Sequence, residues 1–356
     1  VLRRDDVAER LGHLLALDHQ VPAVQPVPHE GLSAGGLALG NFVLVVGKNI
    51  VDARNGGASG CVESGAFGTE AYWLTGYFNL VKILEITLNN GYDRRTGKQT
   101  GLKTGYSYDH KTFDELVSAF RTQVNHFADI KIRGNNVISK TFENYLPVPF
   151  LSLLVEDCIS NGKDYNCGGA RYNTTYIQGV GLGSITDFLT SIRFNIYERK
   201  NYSWDVLVKA LEADFEGYES LRFDLVYNTP KYGNDDDYAD CQAVTVFEIF
   251  YDAVNGRPAS RGGVHRINML PTTSHVYFGS VTGATADGRK AFMPLSEGIS
   301  PSQGADSRGP TSVIRSASKI DHLRTGGTLL NQKFSPRFFE DEDSYNCLTA
   351  LIRSYF

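Results

Sequence analysis

The stretch Ser59-Gly60-Cys61-Val62-Glu63-Ser64-Gly65 is the most informative part of this sequence. Side chains two positions apart in extended backbone project to the same face, so Cys61 and Glu63 can address one ligand while Val62 packs behind them. A sulfur atom and a carboxylate would then act on the same molecule. The simpler alternative is a small buried cysteine next to a solvated glutamate, which is the commoner arrangement in an arbitrary sequence.

The residues on either side of this stretch predict local structure. The glycine-rich residues 56–60 predict a loop, because glycine has no β-carbon and lets backbone approach a neighbour closely. An apolar stripe at helical spacing then predicts a core helix, and it consists of Tyr77, Leu80, Val81, Leu84 and Leu88. Asn89-Asn90-Gly91 predicts a left-handed exit from that helix.

The rest of the chain alternates between helical and β-like patterns. A capping box at residues 112–115 predicts a second helix with Leu116, Phe120, Val124 and Phe127 on one side. Further helices are predicted at residues 185–198, 203–221 and 235–254. Shorter β-like or loop segments are predicted at residues 175–179, 266–270 and 275–278, with a turn at 286–289. Strands that alternate with helices of this length favour an α/β fold.

Composition excludes several classes of function. The chain has 356 residues, 42% of them hydrophobic, and a formal net charge of -5 without a sustained run of Lys and Arg. This charge pattern argues against nucleic acid or an anionic membrane as a partner and favours small molecules. Five cysteines without Cys-x-x-Cys spacing favour a reduced, cytoplasmic setting. No apolar stretch reaches the length of a membrane helix, and no targeting segment is evident.

Other candidate ligand sites have structural explanations. Residues 235–237 are three aspartates at a predicted helix start, where negative charge is favoured, so we expect capping rather than metal binding. The glycines of residues 179–183 precede a helix and could cradle a phosphate, which would make the protein a nucleotide-binding enzyme. Their spacing lacks the third glycine of a dinucleotide fingerprint, so we interpret them as a tight strand-to-helix connection. The eight histidines show no metal-ligand spacing, and neither a metal nor a directly bound cofactor is predicted.

Motifs in a fixed order extend the pattern around Cys61 over most of the chain. They are Gly168-Gly169-Ala170-Arg171-Tyr172-Asn173, Gly233-Asn234-Asp235-Asp236-Asp237-Tyr238, Met269-Leu270-Pro271-Thr272-Thr273, Gly283-Ala284-Thr285-Ala286-Asp287-Gly288-Arg289, Ser296-Glu297-Gly298 and Thr325-Gly326-Gly327-Thr328-Leu329-Leu330-Asn331. With Gly60-Cys61-Val62-Glu63, they resemble the glycyl radical enzymes from about residue 45 to residue 356. Residues 1–40 do not fit this pattern and are left unassigned.

The neighbours of the cysteine favour one branch of that superfamily. Pyruvate formate-lyases have two adjacent cysteines, whereas Val62 follows Cys61 here. Diol and choline lyases usually have proline after the glutamate, where this chain has Ser64. The continuation at residues 65–72 and 75–77 is similar to the hydroxyproline dehydratases.

The resemblance implies a fold and a domain organisation. The fold would be part of a ten-stranded α/β barrel, made of two antiparallel five-stranded half-barrels, with the catalytic cysteine on a central finger loop. Residues 41–356 would form the C-terminal part of this pyruvate formate-lyase-like domain. No Arg-Val-x-Gly-Tyr segment occurs, so we expect the glycyl radical domain to be absent. The start at Val1 and the helical pattern that runs to Phe356 suggest that the chain is a fragment.

The resemblance also implies a radical elimination of water from a 4-hydroxyproline. A separate activating enzyme that uses S-adenosylmethionine would install the glycyl radical, Cys61 would become the thiyl radical, and Glu63 would protonate the departing hydroxyl group. Tyr77 and Thr272 would contact the substrate, and the protein is expected to be a homodimer. Two alternatives stay open: another glycyl radical lyase or decarboxylase that acts on a small diol, amine or arylacetate, and a catalytically inert fragment.

Overall fold

The computed structural model describes residues 47–60 and 62–355. The predictions for residues 1–40 and for Cys61 therefore lie outside the described residues. The described elements, in chain order, are α1 (Ile50–Arg54), β1 (Gly56–Ser59), β2 (Glu63–Ala66), β3 (Glu70–Asn79), α2 (Leu80–Leu88), β4 (Tyr92–Asp93), β5 (Lys98–Gln99), α3 (Phe113–Tyr145), α4 (Pro149–Leu154), β6 (Tyr172–Val180), α5 (Leu182–Ile192), α6 (Trp204–Glu212), α7 (Glu219–Tyr227), α8 (Asp237–Val254), β7 (Val264–Asn268), α9 (Ser274–Ser280), α10 (Pro310–Ala317) and α11 (Glu342–Tyr355).

The central sheet is parallel, with strand order β3-β6-β7. The segment at residues 326–329 extends it, because Gly326 N donates to Ile267 O at 2.9 Å and Leu329 N donates to Met269 O at 3.1 Å. Parallel strands need long crossover connections, and helices α3, α5 and α8 lie in those connections. The predicted α/β class is confirmed. The β-like or loop segment predicted at residues 175–179 lies within β6, and the one predicted at residues 266–270 overlaps β7.

The two faces of this sheet differ in chemistry. Phe78, Ile177 and Ile267 project from successive strands into the main hydrophobic core, which is completed by α2, α3, α5 and α8. Side chains alternate along a strand, so the neighbouring residues face the other way. That second face carries polar and aromatic side chains, including Tyr72, Tyr176, Gln178 and Asn268. The hairpin formed by β1 and β2 lies on it.

The hairpin differs from the expectation for residues 56–60. Strands β1 and β2 pair antiparallel, with Ser59 opposite Glu63, where a glycine-rich loop was predicted. Glycine is needed here for strand pairing, since a β-carbon on Gly56 would lie 2.5 Å from Gly65 O. The loop prediction was therefore wrong for residues 56–59.

Helix α2 begins later than predicted, and this moves one candidate site residue. The Asn79 side chain caps the helix by accepting a hydrogen bond from Lys82 N at 3.0 Å, so the helix starts at Leu80. Tyr77 therefore belongs to β3, and its predicted place on the helix was wrong. The left-handed exit is confirmed, with φ of 53° at Asn90 and 80° at Gly91.

Several other helix predictions are confirmed by their caps. The Thr112–Glu115 capping box starts α3, and Asp236 caps α8 by accepting from Tyr238 N at 3.0 Å. Residues 185–198 are helical as predicted, although residues 193–198 form a π-helical turn. The turn at residues 286–289 is closed by a hydrogen bond from Gly288 N to Thr285 O.

Two further predictions of secondary structure were wrong. Residues 203–221 form two helices, because the chain turns at Asp214 and Phe215, whose φ angles are 48° and 64°. Burial of the Phe215 side chain holds that turn in place. Residues 275–278 lie in helix α9, where a β-like or loop segment was predicted, since a short apolar run has no period that separates a strand from a helix.

The glycine cluster at residues 179–183 is the tight connection that was predicted. Strand β6 ends at Val180, Gly181 has φ of +86°, and α5 begins at Leu182. A β-carbon on Gly181 would lie 2.8 Å from Val81 Cγ2, and one on Gly179 would lie 2.6 Å from Met269 Sδ. Protein atoms fill the space beside these glycines, which argues against a phosphate there. Over the described ranges, no helix is both long enough and apolar enough to cross a membrane.

Candidate active site

The candidate site lies where the β1–β2 hairpin meets the polar face of the sheet. Tyr72 of β3 stacks on Tyr176 of β6, with 3.9 Å between ring centroids and 16° between ring planes. The Tyr72 hydroxyl donates to Gly326 O at 2.9 Å and accepts from Asn268 Nδ2 at 3.0 Å. Burial raises the pKa of Tyr72 far above its ordinary value, the Asn268 bond opposes that rise, and the Glu63 and Glu70 carboxylates add to it. Tyr72 is therefore a neutral hydroxyl in the protein.

Two backbone amides of β2 hold this strand on the polar face of the sheet. Ser64 N donates to Gly326 O at 2.9 Å, and Ala66 N donates to Glu70 Oε2 at 2.9 Å. Glu70 also forms an ion pair with Lys48, and both side chains are almost fully buried. Burial lowers the pKa of Lys48, while the Glu70 carboxylate opposes that shift. The two amides fix the hairpin against the sheet at alternate residues of β2.

Glu63 is the first residue of β2 and is half-buried. Its Oε2 atom accepts a hydrogen bond from Val62 N at 3.2 Å. Gly60 has φ of +56°, and a β-carbon there would collide with the Glu63 carboxylate. The carboxylate therefore folds back over the connection between β1 and β2. Cys61 lies in that connection by sequence, outside the described residues.

The two predicted substrate-contact residues belong to adjoining elements. Tyr77 lies near the end of β3, just after an irregularity in the pairing of β3 with β6, and is 45% exposed. Its ring meets that of Phe278, on α9. Thr272 is exposed and precedes α9 by two residues. The structure thus associates Tyr77 with the helix that follows Thr272.

Three residues of this site were not identified from the sequence: Tyr72, Asn268 and Gly326. Gly326 lies within the quoted motif at residues 325–331, and the paired glycines there were a usable signal. A β-carbon on Gly326 would overlap the Tyr176 ring. Tyr72 and Asn268 are 196 positions apart, and only the sheet brings them together.

The described cavities lie away from this face. One of about 440 Å³ is lined by Phe113, Asp114, Val117, Arg193, Glu198, Cys241, Gln242 and Thr245. Those residues come from α3, α8 and the π-helical turn. The described residues contain no group of three or more His, Cys, Asp and Glu side chains arranged to hold a metal ion.

Comparison with known protein families identifies the family to which this chain belongs. The family model described as "Pyruvate formate lyase-like" matches residues 39–279, about two thirds of the chain. The chain belongs to the pyruvate formate lyase-like family. The model described as "Glycine radical" matches residues 295–356 of this family member, a division that the sequence analysis did not make. The resemblance to the glycyl radical enzymes is confirmed, while the predicted domain boundaries and the absence of the glycyl radical domain stay predictions.

Curated relatives of this pyruvate formate lyase-like chain include several lyases. It is 53% identical over 315 residues to the trans-4-hydroxy-L-proline dehydratase of Clostridioides difficile, covering 88% of this chain and 40% of the relative. It is 34% identical over 318 residues to the (2S)-3-sulfopropanediol dehydratase of Klebsiella oxytoca, covering 87% of this chain and 38% of the relative. The chain therefore spans about 40% of the length of the curated relatives that it matches.

Solved structures agree with the family assignment. The hydroxyproline dehydratase of Clostridioides difficile, with trans-4-hydroxy-L-proline bound, matches with a TM-score of 0.88 and 52% identity, over 90% of this chain and 41% of that one. The glycerol-bound B12-independent glycerol dehydratase of Clostridium butyricum matches with a TM-score of 0.86 and 38% identity, over the same shares of the two chains.

Proposed function

We propose that this chain is part of a glycyl radical dehydratase that eliminates water from a 4-hydroxyproline. The observation that carries the proposal is the 53% identity to a trans-4-hydroxy-L-proline dehydratase across 88% of the chain. Identity to the sulfopropanediol dehydratase is 34% over a similar span. The higher identity to the hydroxyproline dehydratase favours that branch. The residues beside the two proposed catalytic residues, Val62 after Cys61 and Ser64 after Glu63, favour the same branch.

The proposed architecture is part of a ten-stranded barrel, with the β1–β2 hairpin as its central finger loop. A barrel strand presents one face to the interior and the other to the surrounding helices. The described sheet has this division, since Ile177 faces the helical core and its neighbours Tyr176 and Gln178 face the hairpin. The remaining strands would come from the part of the polypeptide outside this chain.

The proposed chemistry uses two residues of the hairpin. A glycyl radical, on a glycine outside this chain, supplies the unpaired electron with which Cys61 acts as a thiyl radical. Cys61 removes a hydrogen atom from the carbon next to the hydroxyl-bearing carbon of the substrate. Glu63 then donates a proton to the hydroxyl group as the carbon–oxygen bond breaks, so that water leaves instead of hydroxide. The ring nitrogen gives up a proton, and the product radical takes the hydrogen atom back from the Cys61 thiol, which yields a pyrroline carboxylate. The position of Glu63 supports a role beside Cys61, because its Oε2 atom accepts a hydrogen bond from Val62 N, the amide of the residue that follows Cys61.

Tyr77 and Thr272 are the proposed substrate contacts. A hydroxyproline presents an ammonium group, a carboxylate and a hydroxyl group on an apolar ring, so its site needs hydrogen-bonding groups between apolar walls. Tyr77 provides a phenol next to the Phe278 ring, and Thr272 provides a hydroxyl group near the start of the same helix. Their exposure in this chain leaves both side chains available to a ligand.

The proposal extends to partners and location. A radical S-adenosylmethionine enzyme would activate the full-length protein, which would act as a homodimer in the cytoplasm. The cysteines of the described ranges are free thiols, which suits a reducing compartment.

A second candidate function is a different glycyl radical reaction. It is favoured by the 31% identity to the indoleacetate decarboxylase of Tractidigestivibacter scatoligenes, which covers 87% of this chain. An inert fragment is the third candidate, and activation of the full-length protein tests it directly.

The deciding experiment is substrate competition with the full-length protein. The protein would be activated anaerobically with an activating enzyme and S-adenosylmethionine, and radical formation confirmed by electron paramagnetic resonance. It would then receive a mixture of 4-hydroxyproline isomers, choline, glycerol and an arylacetate, with products identified by mass spectrometry. We expect preferential formation of a pyrroline carboxylate. Turnover of another substrate would overturn the choice of branch, and the absence of any glycyl radical signal would favour the inert alternative.

A further inference from the structure

The carbonyl oxygen of Gly326 accepts hydrogen bonds from two different elements at the candidate site. Ser64 N, next to Glu63, donates to it at 2.9 Å, and the Tyr72 hydroxyl donates to it at the same distance. A carbonyl oxygen has two lone pairs and can accept both bonds. We propose that Tyr72 is a positioning residue that, through Gly326, sets the place of the hairpin carrying Glu63. This inference rests on the proposed function, in which Glu63 is the proton donor.

The direction of the Tyr72 bond is set by a third residue. Asn268 Nδ2 donates to the Tyr72 oxygen at 3.0 Å, which occupies a lone pair of that oxygen and directs the hydroxyl proton to Gly326 O. Asn268 Oδ1 is buried without a partner in the described part of the chain, whereas the bonds from Asn268 Nδ2 to Tyr72 and from Tyr72 to Gly326 are both made and restrict how these groups can be arranged. The chain Asn268–Tyr72–Gly326–Ser64 therefore connects β7 to the residue that follows Glu63.

The close approach of residues 326 and 327 requires glycine at both positions. A β-carbon on Gly326 would overlap the Tyr176 ring, and one on Gly327 would collide with Val62 O. Val62 and Ser64 are the two neighbours of Glu63 in sequence. The glycine pair thus touches the hairpin on either side of Glu63, while the stacked Tyr72 and Tyr176 rings support the pair from the sheet.

This geometry predicts an effect on proton transfer and little effect on binding. Of the two hydrogen bonds that the described residues donate to Gly326 O, loss of the Tyr72 hydroxyl group leaves the one from Ser64, and the hairpin gains freedom at Glu63. Proton donation needs a carboxyl group within hydrogen-bond reach of the leaving oxygen, so small displacements reduce kcat. Tyr77 shares β3 with Tyr72, but neither Tyr77 nor Thr272 lies on the hairpin, and the substitution removes one hydroxyl group while it keeps the ring. The KM for substrate should therefore change little.

Tyr176 provides a matched control. It is fully buried in the same ring stack, and in the described part of the chain its hydroxyl group makes no hydrogen bond to Gly326 or Ser64. Tyr176→Phe therefore removes the same atom from the neighbouring ring and leaves the Gly326 contacts intact. The difference in kcat between Tyr72→Phe and Tyr176→Phe therefore measures the effect of the hydrogen bond from the Tyr72 hydroxyl group to Gly326 O.

The test uses the activated full-length protein with whichever substrate the competition experiment identifies. For Tyr72→Phe we expect unchanged radical content, a kcat lower by about tenfold and a KM within about twofold of the unaltered protein, as for loss of one positioning hydrogen bond. Tyr176→Phe, which keeps both hydrogen bonds to Gly326 O, should lower kcat much less than Tyr72→Phe does. In a Glu63→Gln background, Tyr72→Phe should lower kcat by much less than tenfold, because the proton donor that Tyr72 positions is already removed. An equal loss in both backgrounds, or equal effects of the two phenylalanine variants, would overturn the proposal.

A second measurement does not depend on turnover. Amide hydrogen exchange of the peptide that covers residues 59–66 should be faster in Tyr72→Phe than in Tyr176→Phe, since only the first variant frees the hairpin. Unchanged exchange in Tyr72→Phe would contradict the positioning role even if the protein acts on a substrate other than hydroxyproline. If the proposed function is wrong, the competition experiment would show it, because a substrate other than hydroxyproline would be turned over.

Discussion

The ring of Tyr77 lies edge-on to the ring of Phe278, with 6.4 Å between centroids and 85° between ring planes. This contact joins the end of β3 to α9, the helix that begins two residues after Thr272. Asn79 adds a hydrogen bond from its side chain to Phe278 O at 3.4 Å. Tyr77 therefore packs on α9 and Thr272 precedes the same helix in the chain, so disturbing α9 should affect both proposed substrate contacts.

Phe278→Ala should weaken substrate binding in the full-length protein. Edge-to-face aromatic pairs contribute about 0.5–1.5 kcal/mol beyond area burial, so we expect the KM for 4-hydroxyproline to rise by about threefold to tenfold. The kcat should fall less, since Glu63 is on a different element. Steady-state kinetics would measure both values, with Phe223→Ala as the control because Phe223 pairs with Tyr227 on α7. A rise in KM for the Phe223 variant of the same size would contradict the prediction.

Cys61→Ser and Glu63→Gln should separate the two proposed catalytic roles. The serine variant should form the glycyl radical but give no turnover, because its oxygen–hydrogen bond is too strong for a glycyl radical to break productively. The glutamine variant keeps the size of Glu63 but cannot donate the proton, and a loss of about 10²–10⁴-fold in kcat is expected. Radical content by electron paramagnetic resonance and product formation by mass spectrometry are the measurements. Near-normal turnover of Glu63→Gln would show that another group is the acid.

Gly181→Ala should destabilise the protein more than Gly217→Ala. Both glycines have positive φ, +86° and +76°, so either substitution costs about 1–2 kcal/mol of backbone strain. Only at Gly181 would the new β-carbon also meet a neighbour, Val81 Cγ2 at 2.8 Å, while the space at Gly217 is open. Overpacking should add about 1–3 kcal/mol for Gly181→Ala, measured as the difference in free energy of unfolding by urea. Equal values for the two variants would refute the steric argument.

Asp187→Asn should change how stability depends on pH. Burial of the Asp187 carboxyl group raises its pKa to about 7, with Lys231 opposing that rise and Asp287 adding to it. A carboxyl group with a raised folded-state pKa stabilises the protein at low pH, and this contribution falls by at most about 1.4 kcal/mol per pH unit between pH 4 and pH 7. Asparagine removes the dependence and can still accept from Tyr232 N. Relative to the unaltered protein, the variant should therefore gain stability at pH 8 compared with pH 5. Urea unfolding at both pH values tests this, with the exposed Asp205→Asn as control.

His265→Gln should have the opposite effect on pH dependence. Burial lowers the pKa of His265 to about 4, helped by the nearby Arg257 guanidinium. A histidine with a lowered folded-state pKa stabilises the protein above pH 6.5, and that contribution is lost as the pH falls towards 4. Glutamine can keep the contact to Asn136 without titrating. The unaltered protein should lose more stability than His265→Gln between pH 7 and pH 5, as measured by unfolding midpoints. His126→Gln on α3 should behave like the unaltered protein.

The sequence alone determined the features that depend on a few neighbouring residues. Thr112 and Asp236 were recognisable as helix caps because a cap is made within one turn of backbone. Gly181 was recognisable as a tight connection because only a strand end and a helix start flank it. The motifs around Cys61 and Glu63 carried the family assignment, since the residue types and their order are local properties of the chain.

Tertiary structure decided the contacts that join distant parts of the chain. Tyr72 and Gly326 are 254 positions apart, and the register of parallel strands sets their hydrogen bond without any local sequence signal. Tyr77 fits the apolar stripe of α2, yet the Asn79 cap starts that helix three residues later and leaves Tyr77 in β3. Local periodicity therefore identified Glu63 as a candidate, whereas long-range strand pairing placed Tyr72, Asn268 and Gly326 around the hairpin that carries it.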